Sequence, residues 1–200
     1  MKDLIRQYFE ILEQWNRKIN LTAIEGWEAF RDKHLEDALP ILPHLGAAKT
    51  LLDIGTGAGI PGIILKIARP DIEVTLLDST RKKVSFCDEA IRRLGLTGIR
   101  AVRGRAEDKS VVAALGRFDL VVSRATWDLA KFLKIALPYI ADGGRCIAMK
   151  GKQWHEELEA AAPRIATNTI ALDGTHPYRL RGGEERCLLV FAPCAPRQTA

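Results

Sequence analysis

The sequence has little of what several classes of protein require. Its 200 residues include four cysteines, and these show neither a CxxC pair nor the His-paired spacing of a metal site. No apolar run approaches the roughly 18 residues that a membrane-spanning helix needs, and the opening MKDLIRQYFE carries charges where a signal peptide has an apolar core. We therefore expect a cytoplasmic protein that has reduced cysteines, binds no metal and does not associate with a membrane.

An excess of basic residues is the first positive feature. Lysine and arginine number 30 against 25 aspartates and glutamates, so the net charge is +5 and the isoelectric point is about 9.1. This balance favours a polyanionic partner such as nucleic acid, although solvated helix faces also carry lysine and arginine routinely. The basic residues form groups at Arg17-Lys18, Arg81-Lys82-Lys83, Arg92-Arg93, Arg100 with Arg103 and Arg105, and Arg179 with Arg181.

The spacing of apolar residues changes once along the chain. It is helical at first, in a stripe from Leu4 to Trp15 and in a second stretch from Glu28 to Leu39 that ends at Pro40. From Thr50, short apolar runs alternate with amphipathic stretches, which predicts an α/β fold with a doubly wound, mostly parallel sheet and an N-terminal helical extension. We divide the chain into a helical subdomain (1–46), an α/β domain (47–194) and a tail (195–200).

The alternation also predicts where the elements lie. Predicted strands are Thr50 to Ile54, Glu73 to Asp78, Ile99 to Gly104, Phe118 to Ser123, Arg145 to Lys150 and Arg186 to Ala192, and the state of Thr169 to Leu172 is left open. Predicted helices are Ile60 to Ala68, Arg81 to Leu94, Leu129 to Leu137 and Trp154 to Ala162.

A glycine-rich turn, LLDIGTGAGIPG, follows the first predicted strand and precedes a helix. Backbone N–H groups at such a turn can approach a nucleoside or an anion. Gly55, Gly57 and Gly59 form GxGxG, with Asp53 two residues ahead, whereas a dinucleotide site has GxGxxG. This spacing favours S-adenosylmethionine over a nicotinamide cofactor. Asp53 could have a ligand role, and it could brace the backbone of the turn, alone or alongside that role.

Polar residues near other strand ends are further candidates. Asp78 could accept hydrogen bonds from ribose hydroxyls or cap the next helix, and Glu107 could face an adenine or stand solvated in a loop. Arg124 could meet the methionine carboxylate or an RNA phosphate, or form an ordinary salt bridge to a nearby carboxylate such as Asp128. Lys150 could hold a phosphate or the guanine O6 edge, or snorkel at the end of its strand with its amine in solvent.

Seven short segments of the sequence together resemble one family, the bacterial methyltransferases once called glucose-inhibited division protein B. They are NRKINLTAI, KHLEDALP, LLDIGTGAGIPG, VTLLDSTRKKVSF, GRAE, FDLVVSRA and GGRCIAMKG, in this order over most of the chain. The resemblance implies a Rossmann-like class I methyltransferase with S-adenosyl-L-methionine as its cofactor. The contacts that it implies, together with the loop glycines, fall on Gly55, Gly57, Gly59, Ile60, Asp78, Ser79, Thr80, Ala106, Glu107 and Arg124. The family often has Leu or Phe where this chain has Ile60.

The resemblance further implies formation of 7-methylguanosine in 16S ribosomal RNA. Guanine N7 has a lone pair and no proton to lose, so we name no catalytic acid or base, and Lys150 and Arg124 are the candidates on the acceptor side. The four histidines then need no catalytic role and are expected at the surface or as caps, while Trp127 is expected in the core rather than stacked on a base.

The expected partner is 16S ribosomal RNA or the small ribosomal subunit, and the expected state is a monomer. Basic residues of the N-terminal helices are candidates for docking RNA, namely Arg17, Lys18, Arg31 and Lys33. A methyltransferase of the same fold with another substrate, or a non-catalytic RNA-binding assembly protein, remains an alternative.

Overall fold

The centre of the protein is a mostly parallel β-sheet, as predicted. A computed structural model describes residues 1–124, 127–165 and 169–194, so the predicted tail (195–200) lies outside the described residues. Within the described residues the sheet has seven strands in the order β3-β2-β1-β4-β5-β7-β6, and only β7 and its neighbours pair antiparallel. The strands are β1 (Thr50–Ile54), β2 (Glu73–Asp78), β3 (Ile99–Arg103), β4 (Phe118–Arg124), β5 (Ile140–Lys150), β6 (Ile170–Arg179) and β7 (Glu185–Pro193).

An N-terminal helical segment precedes the sheet. It begins with α1 (Lys2–Asn16), whose apolar stripe is buried, and continues through α2 (Trp27–Phe30), a π-helical turn (Arg31–Leu35) and α3 (Glu36–Ala38). A 3-10 helix (Leu39–His44) follows, so the helical path does not stop at Pro40 as predicted. Proline fits there because it lies in the first turn of the 3-10 helix, where an N–H would lack a partner.

The remaining helices connect the strands and cover both faces of the sheet. They are α4 (Gly62–Ala68), α5 (Arg81–Arg93), α6 (Lys109–Leu115), α7 (Leu129–Ala136) and α8 (Trp154–Ile165), with a 3-10 turn (Leu137–Tyr139) after α7. Of these, α6 was not predicted. None of its residues is buried, so it lacks a strong apolar stripe.

Neighbouring strand residues point into two separate cores. Leu51 and Leu76 pack with α1, α4 and α5 on one face, whereas Leu52 and Leu77 pack with α7 on the other. This alternation follows from the two-residue period of a strand and confirms the doubly wound arrangement. The boundary at residue 46 stays a prediction, and Tyr8 of α1 lies in the same core as Ile63 of α4.

The two outer strands of the sheet differ from the central ones. Seven of the ten residues in β6 are exposed, and its register shifts between Leu172 and Gly174. β6 also contains Pro177, while β3 is five residues long and carries the exposed Arg100 and Arg103. Among the described residues, no helix is both long and apolar enough to cross a membrane.

Candidate active site

A cleft of about 560 Å³ opens at the carboxyl edge of the sheet. It lies where β1 and β4 are neighbours and their connections leave in opposite directions, which is the usual ligand position in open α/β sheets. The ends of four parallel strands contribute to it. The lining residues are Ile54, Gly55, Leu77, Asp78, Ser79, Thr80, Lys83, Gly104, Arg105, Ala106, Glu107, Arg124 and Trp127.

Asp78, the last residue of β2, is a buried carboxylate in the cleft wall. Its Oδ2 accepts from the backbone N–H of Gly57 at 3.0 Å and its Oδ1 accepts from that of Thr80 at 2.8 Å. α5 has Thr80 at its N-cap, so Asp78 is not the cap of that helix. An ionised carboxylate has about four acceptor sites, so Asp78 braces two loops and keeps capacity for a ligand.

Asp53 holds the glycine-rich turn through hydrogen bonds from residues of the turn. Its Oδ2 accepts from Thr56 Oγ1 at 2.6 Å and from the Gly62 N–H at 2.9 Å, while Oδ1 has no hydrogen-bond partner among the described residues. Burial raises the pKa of Asp53 to about 6, against the opposing effect of these donors and of Arg124. Asp53 therefore braces the turn, which was one of its two predicted roles.

The last glycine of GxGxG has a packing role. Gly59 has φ +81°, and a Cβ on it would lie 2.3 Å from Ile63 Cδ1 and 3.5 Å from the hydroxyl oxygen of Tyr8. Tyr8 is fully buried and donates a hydrogen bond to the Ala58 carbonyl oxygen. The turn is thus clamped between α1 and α4.

The turn after β3 forms another wall of the cleft. Ala106 is buried and its carbonyl accepts from the Tyr139 hydroxyl at 3.0 Å. Glu107 is exposed, with one carboxylate oxygen 4.0 Å from Lys131 Nζ. A long exposed ion pair of this kind is weak, so Glu107 can exchange this partner for a ligand donor.

Arg124, the last residue of β4, is held by the N-terminal helical segment. Its Nη1 lies 2.8 Å from His34 Nδ1 and 3.5 Å from Asp37 Oδ2, and donates to the Lys33 carbonyl at 3.4 Å. The predicted alternative, a salt bridge to a nearby carboxylate, is present, with Asp37 as the partner where Asp128 was the suggested example. Asp128 Oδ1 instead accepts from the Lys131 N–H and caps α7.

His34 is buried, with 5% of its surface exposed, so the expectation of a surface or capping histidine is wrong for this residue. Burial and the adjacent Arg124 lower its pKa to about 3. His34 and Asp37 both lie in the segment KHLEDALP. Sequence reasoning missed their role, because a buried contact with a distant residue leaves no local pattern in that segment. Two other histidines, His44 and His176, contact each other with ring centroids 4.3 Å apart.

Lys150 lies behind the cleft rather than in its lining. Only 6% of its surface is exposed, and its Nζ donates to the Trp127 carbonyl at 2.7 Å and pairs with Glu157 Oε2 at 2.6 Å. Trp127 is partly buried and lines the cleft. The predicted alternative of an amine in solvent is therefore wrong, and Lys150 supports the backbone of a cleft residue.

The cleft brings together most of the residues singled out from the sequence. Those that line it are Gly55, Asp78, Ser79, Thr80, Ala106, Glu107 and Arg124. Gly57 reaches the cleft only through its bond to Asp78, and Gly59 and Ile60 are buried against the core. Lys83, Arg105 and Trp127 were not among the predicted cofactor contacts.

Solved structures share this arrangement of sheet and helices. The O-methyltransferase TomG from Streptomyces achromogenes, solved in complex with SAM, matches with a TM-score of 0.67 at 16% identity over 94% of this chain and 90% of its own. A ribosomal protein L11 methylase from Lactobacillus delbrueckii subsp. bulgaricus matches with a TM-score of 0.60 at 18% identity, over 82% and 79%. The fold is that of a Rossmann-like class I methyltransferase.

The family model described as rRNA small subunit methyltransferase G matches residues 1–177, and the chain belongs to this family. A ribosomal RNA small subunit methyltransferase G of Myxococcus xanthus is 42% identical over 182 residues, which cover 90% of this chain and 83% of that protein. The chain is therefore an enzyme, a methyltransferase that depends on S-adenosylmethionine.

Proposed function

We propose that the protein transfers the methyl group of S-adenosylmethionine to N7 of a guanosine in 16S ribosomal RNA. The observation that carries this proposal is the convergence of four strand ends on one cleft, in a chain of the rRNA small subunit methyltransferase G family. The volume of about 560 Å³ lies within the range of small-molecule sites. We place the protein itself in the cytoplasm, where the ribosomal substrate is assembled.

The residues of the cleft fit the parts of this cofactor. We assign the ribose hydroxyls to Asp78, because its carboxylate retains acceptor capacity. Ser79 and Thr80 are exposed beside Asp78, and Gly55 leaves space for the methionyl chain. The adenine faces the turn at Ala106 and Glu107.

Arg124 supplies a positive charge for the methionine carboxylate or for a phosphate of the RNA. Gly57, Gly59 and Ile60 contribute through the shape of the turn, since they do not line the cleft. Lys150 contributes on the acceptor side by holding Trp127 in place.

The chemistry places few demands on the protein. The bound cofactor supplies a methyl group on a positively charged sulfur, which a nucleophile displaces. Guanine N7 has a free lone pair, so the protein must align the two reactants and exclude water, and needs no general base. Buried walls such as Ala106 and Leu77 exclude water, and Asp78 and Arg124 fix the orientation.

Cations at the mouth of the cleft form the proposed RNA contact. Arg81, Lys82 and Arg105 are exposed and make no ion pair with the described residues. Three of the four earlier candidates are already paired: Arg17 with Glu13, Arg31 with Glu28, and Lys33 with Glu184. Uncompensated charges beside the cleft are better placed to neutralise RNA phosphates.

Methylation of purified small subunits tests the proposal. Subunits from cells that lack this protein are incubated with S-adenosylmethionine carrying a labelled methyl group, and modified guanosines are mapped by mass spectrometry. We expect 7-methylguanosine at one position of the 16S RNA, and naked 16S RNA in parallel shows which form is the substrate. Cofactor binding without label in RNA would favour another substrate, and no cofactor binding would favour a non-catalytic assembly protein.

A further inference from the structure

We propose that Asp37 and His34 position the guanidinium of Arg124 in the cleft, so that the N-terminal helical segment is part of the active site. The inference rests on the proposed function for the identity of the ligand that Arg124 meets. Neither residue lines the cleft itself. Both are positioning residues, which act through Arg124.

Asp37 provides the counter-charge. It is 4% exposed, and its Oδ2 lies 3.5 Å from Arg124 Nη1. Its Oδ1 accepts from the Tyr178 hydroxyl at 2.7 Å and lies 3.7 Å from Arg186 Nε. One side of the carboxylate is thus fixed by β6 and β7, while the other side holds the end of β4.

His34 provides a neutral acceptor. His34 Nδ1 lies 2.8 Å from Arg124 Nη1 and 3.1 Å from the Lys33 carbonyl oxygen. Because a guanidinium only donates hydrogen bonds, we assign the Nδ1 lone pair to the shorter contact with Arg124. The ring proton therefore lies on Nε2, which donates to Thr22 Oγ1 at 2.9 Å. The His34 ring packs edge-on against Phe30, with centroids 5.7 Å apart, so its plane is fixed.

The combination suits an arginine that must bind an anion. One carboxylate, Asp37, faces two guanidinium groups, those of Arg124 and Arg186, so this cluster carries a formal charge of +1. A second carboxylate in place of His34 would cancel that charge. A neutral imidazole orients Arg124 and leaves the positive charge for a carboxylate or phosphate in the cleft.

All three contacts from the N-terminal segment are to the same guanidinium nitrogen, Nη1. They come from residues about 90 positions away along the chain, on the π-helical turn and α3. The segment therefore fixes one edge of the guanidinium, and its docking determines how Arg124 meets the cofactor.

Four variants of the full chain test this arrangement. His34→Leu removes the acceptor, His34→Asn retains an oxygen near the position of Nδ1, and Asp37→Asn removes the counter-charge. Thr50→Val is the control for stability, because it removes two hydrogen bonds with Asp119 at the amino end of β1, at the edge of the sheet opposite the cleft. The dissociation constant for S-adenosylmethionine is measured by calorimetry, and the unfolding temperature and the kcat and KM of methyl transfer are measured alongside.

We expect His34→Leu and Asp37→Asn to weaken cofactor binding about fivefold to tenfold, within the range of coupled neighbours. KM for the cofactor should rise more than kcat falls, and His34→Asn should restore most of the affinity. Thr50→Val should lower the unfolding temperature and leave the affinity unchanged. In an Arg124→Ala background, the same changes at His34 and Asp37 should have no further effect on binding.

Three results, each with an active parent enzyme, would overturn the inference while the proposed function stands. The first is that His34→Leu and Asp37→Asn lower the unfolding temperature but not the cofactor affinity. The second is an effect that simply adds to that of Arg124→Ala, and the third is an Arg124→Ala variant that binds the cofactor normally. An inactive parent protein that binds no cofactor would instead contradict the proposed function, and the inference with it.

Discussion

At the scale of single residues, Asp78 combines backbone hydrogen bonds with a charge contact in the cleft wall. It accepts from the N–H groups of Gly57 and Thr80 and lies 4.0 Å from Lys83 Nζ. Asp78→Ala should weaken S-adenosylmethionine binding by about 1–3 kcal/mol, because ribose hydroxyls and two backbone donors lose a charged acceptor. Calorimetric titration measures this change.

A control separates this loss from general damage. Asp71→Ala removes an exposed carboxylate that pairs with Arg69 just before the amino end of β2, at the edge of the sheet opposite the cleft. It should leave the affinity unchanged. If Asp78→Ala also binds normally and has an intact circular dichroism spectrum, Asp78 is not a cofactor contact.

The buried His34 leads to a prediction about how the stability of the protein depends on pH. Its pKa is about 3 in the folded protein and about 6.5 when unfolded, so the folded state binds fewer protons between these values. Its contribution to stability is therefore lost as pH falls below 6.5. At pH 5 the loss is about 2 kcal/mol relative to pH 7.

A comparison with His34→Asn isolates this contribution. Asp53, whose pKa is raised to about 6, has the opposite effect in part of the same range, since its folded state holds an extra proton. Because Asp53 is present in both proteins, its effect cancels. Urea unfolding at pH 7 and pH 5 should show the stability gap between the two proteins narrowing at pH 5, and a constant gap would contradict the buried neutral imidazole.

At the scale of elements, the packing between the glycine-rich turn and α4 excludes a side chain at Gly59 but leaves space for one at Gly57. A Cβ on Gly59 would lie 2.3 Å from Ile63 Cδ1, and Ile63 is fully buried. A Cβ on Gly57 would meet nothing nearer than 3.9 Å. Both glycines have positive φ, so both alanine variants carry backbone strain.

Gly59→Ala should therefore be less stable than Gly57→Ala by about 1–3 kcal/mol, the usual cost of overpacking a core. The difference is measured by urea unfolding of the two variants beside the parent. Because strain is common to both, Gly57→Ala serves as the control. Equal losses would show that α4 moves away from the turn easily.

The elements differ in how well the sequence predicted them. The bounds of β1 and β2 were predicted to the residue, because each is a buried apolar run next to a turn signal. The length of β6 was not, since most of its residues are exposed and only Thr169 to Leu172 stood out. An element that buries little has little periodicity, and the same reason explains the unpredicted α6.

The candidate site was predicted unevenly for a related reason. Residues next to their own strand end, such as Asp78 and Glu107, could be found from local order alone. The contact between His34 and Arg124 joins residues 90 positions apart, and Asp37 meets Tyr178 across 141 positions. Such pairs depend on how distant elements dock, and no local pattern in a single sequence specifies them.

At the scale of the whole molecule, the basic groups lie at different distances from the cleft. Arg81 and Lys82 begin α5 beside Thr80, which lines the cleft. Arg93, at the other end of α5, donates to Gln14 near the end of α1 at 2.9 Å. A helix of 13 residues is about 20 Å long, so Arg17 and Lys18 lie well away from the cleft.

Charge reversal at Arg81 and Lys82 should therefore weaken binding to small-subunit RNA. It should also reduce the slope of log affinity against log salt concentration by about one to two. Reversal at Arg17 and Lys18 is the matched comparison and should have a smaller effect. Filter binding over a range of salt concentrations measures both slopes, with cofactor affinity as the internal control. If RNA affinity is independent of salt, the basic surface does not contact RNA phosphates. That outcome would favour another substrate.

The irregular outer strands bear on how the molecule behaves at high concentration. A regular exposed edge strand offers N–H and C=O groups to a strand of another molecule and promotes aggregation. Here the register shift at Leu172 and Gly174, the missing N–H of Pro177 and the short, charged β3 all work against such pairing. We expect a monomer in light scattering at concentrations well above those of an assay, and straightening β6 by deleting Asp173 together with Pro177→Val should make the protein associate through that edge.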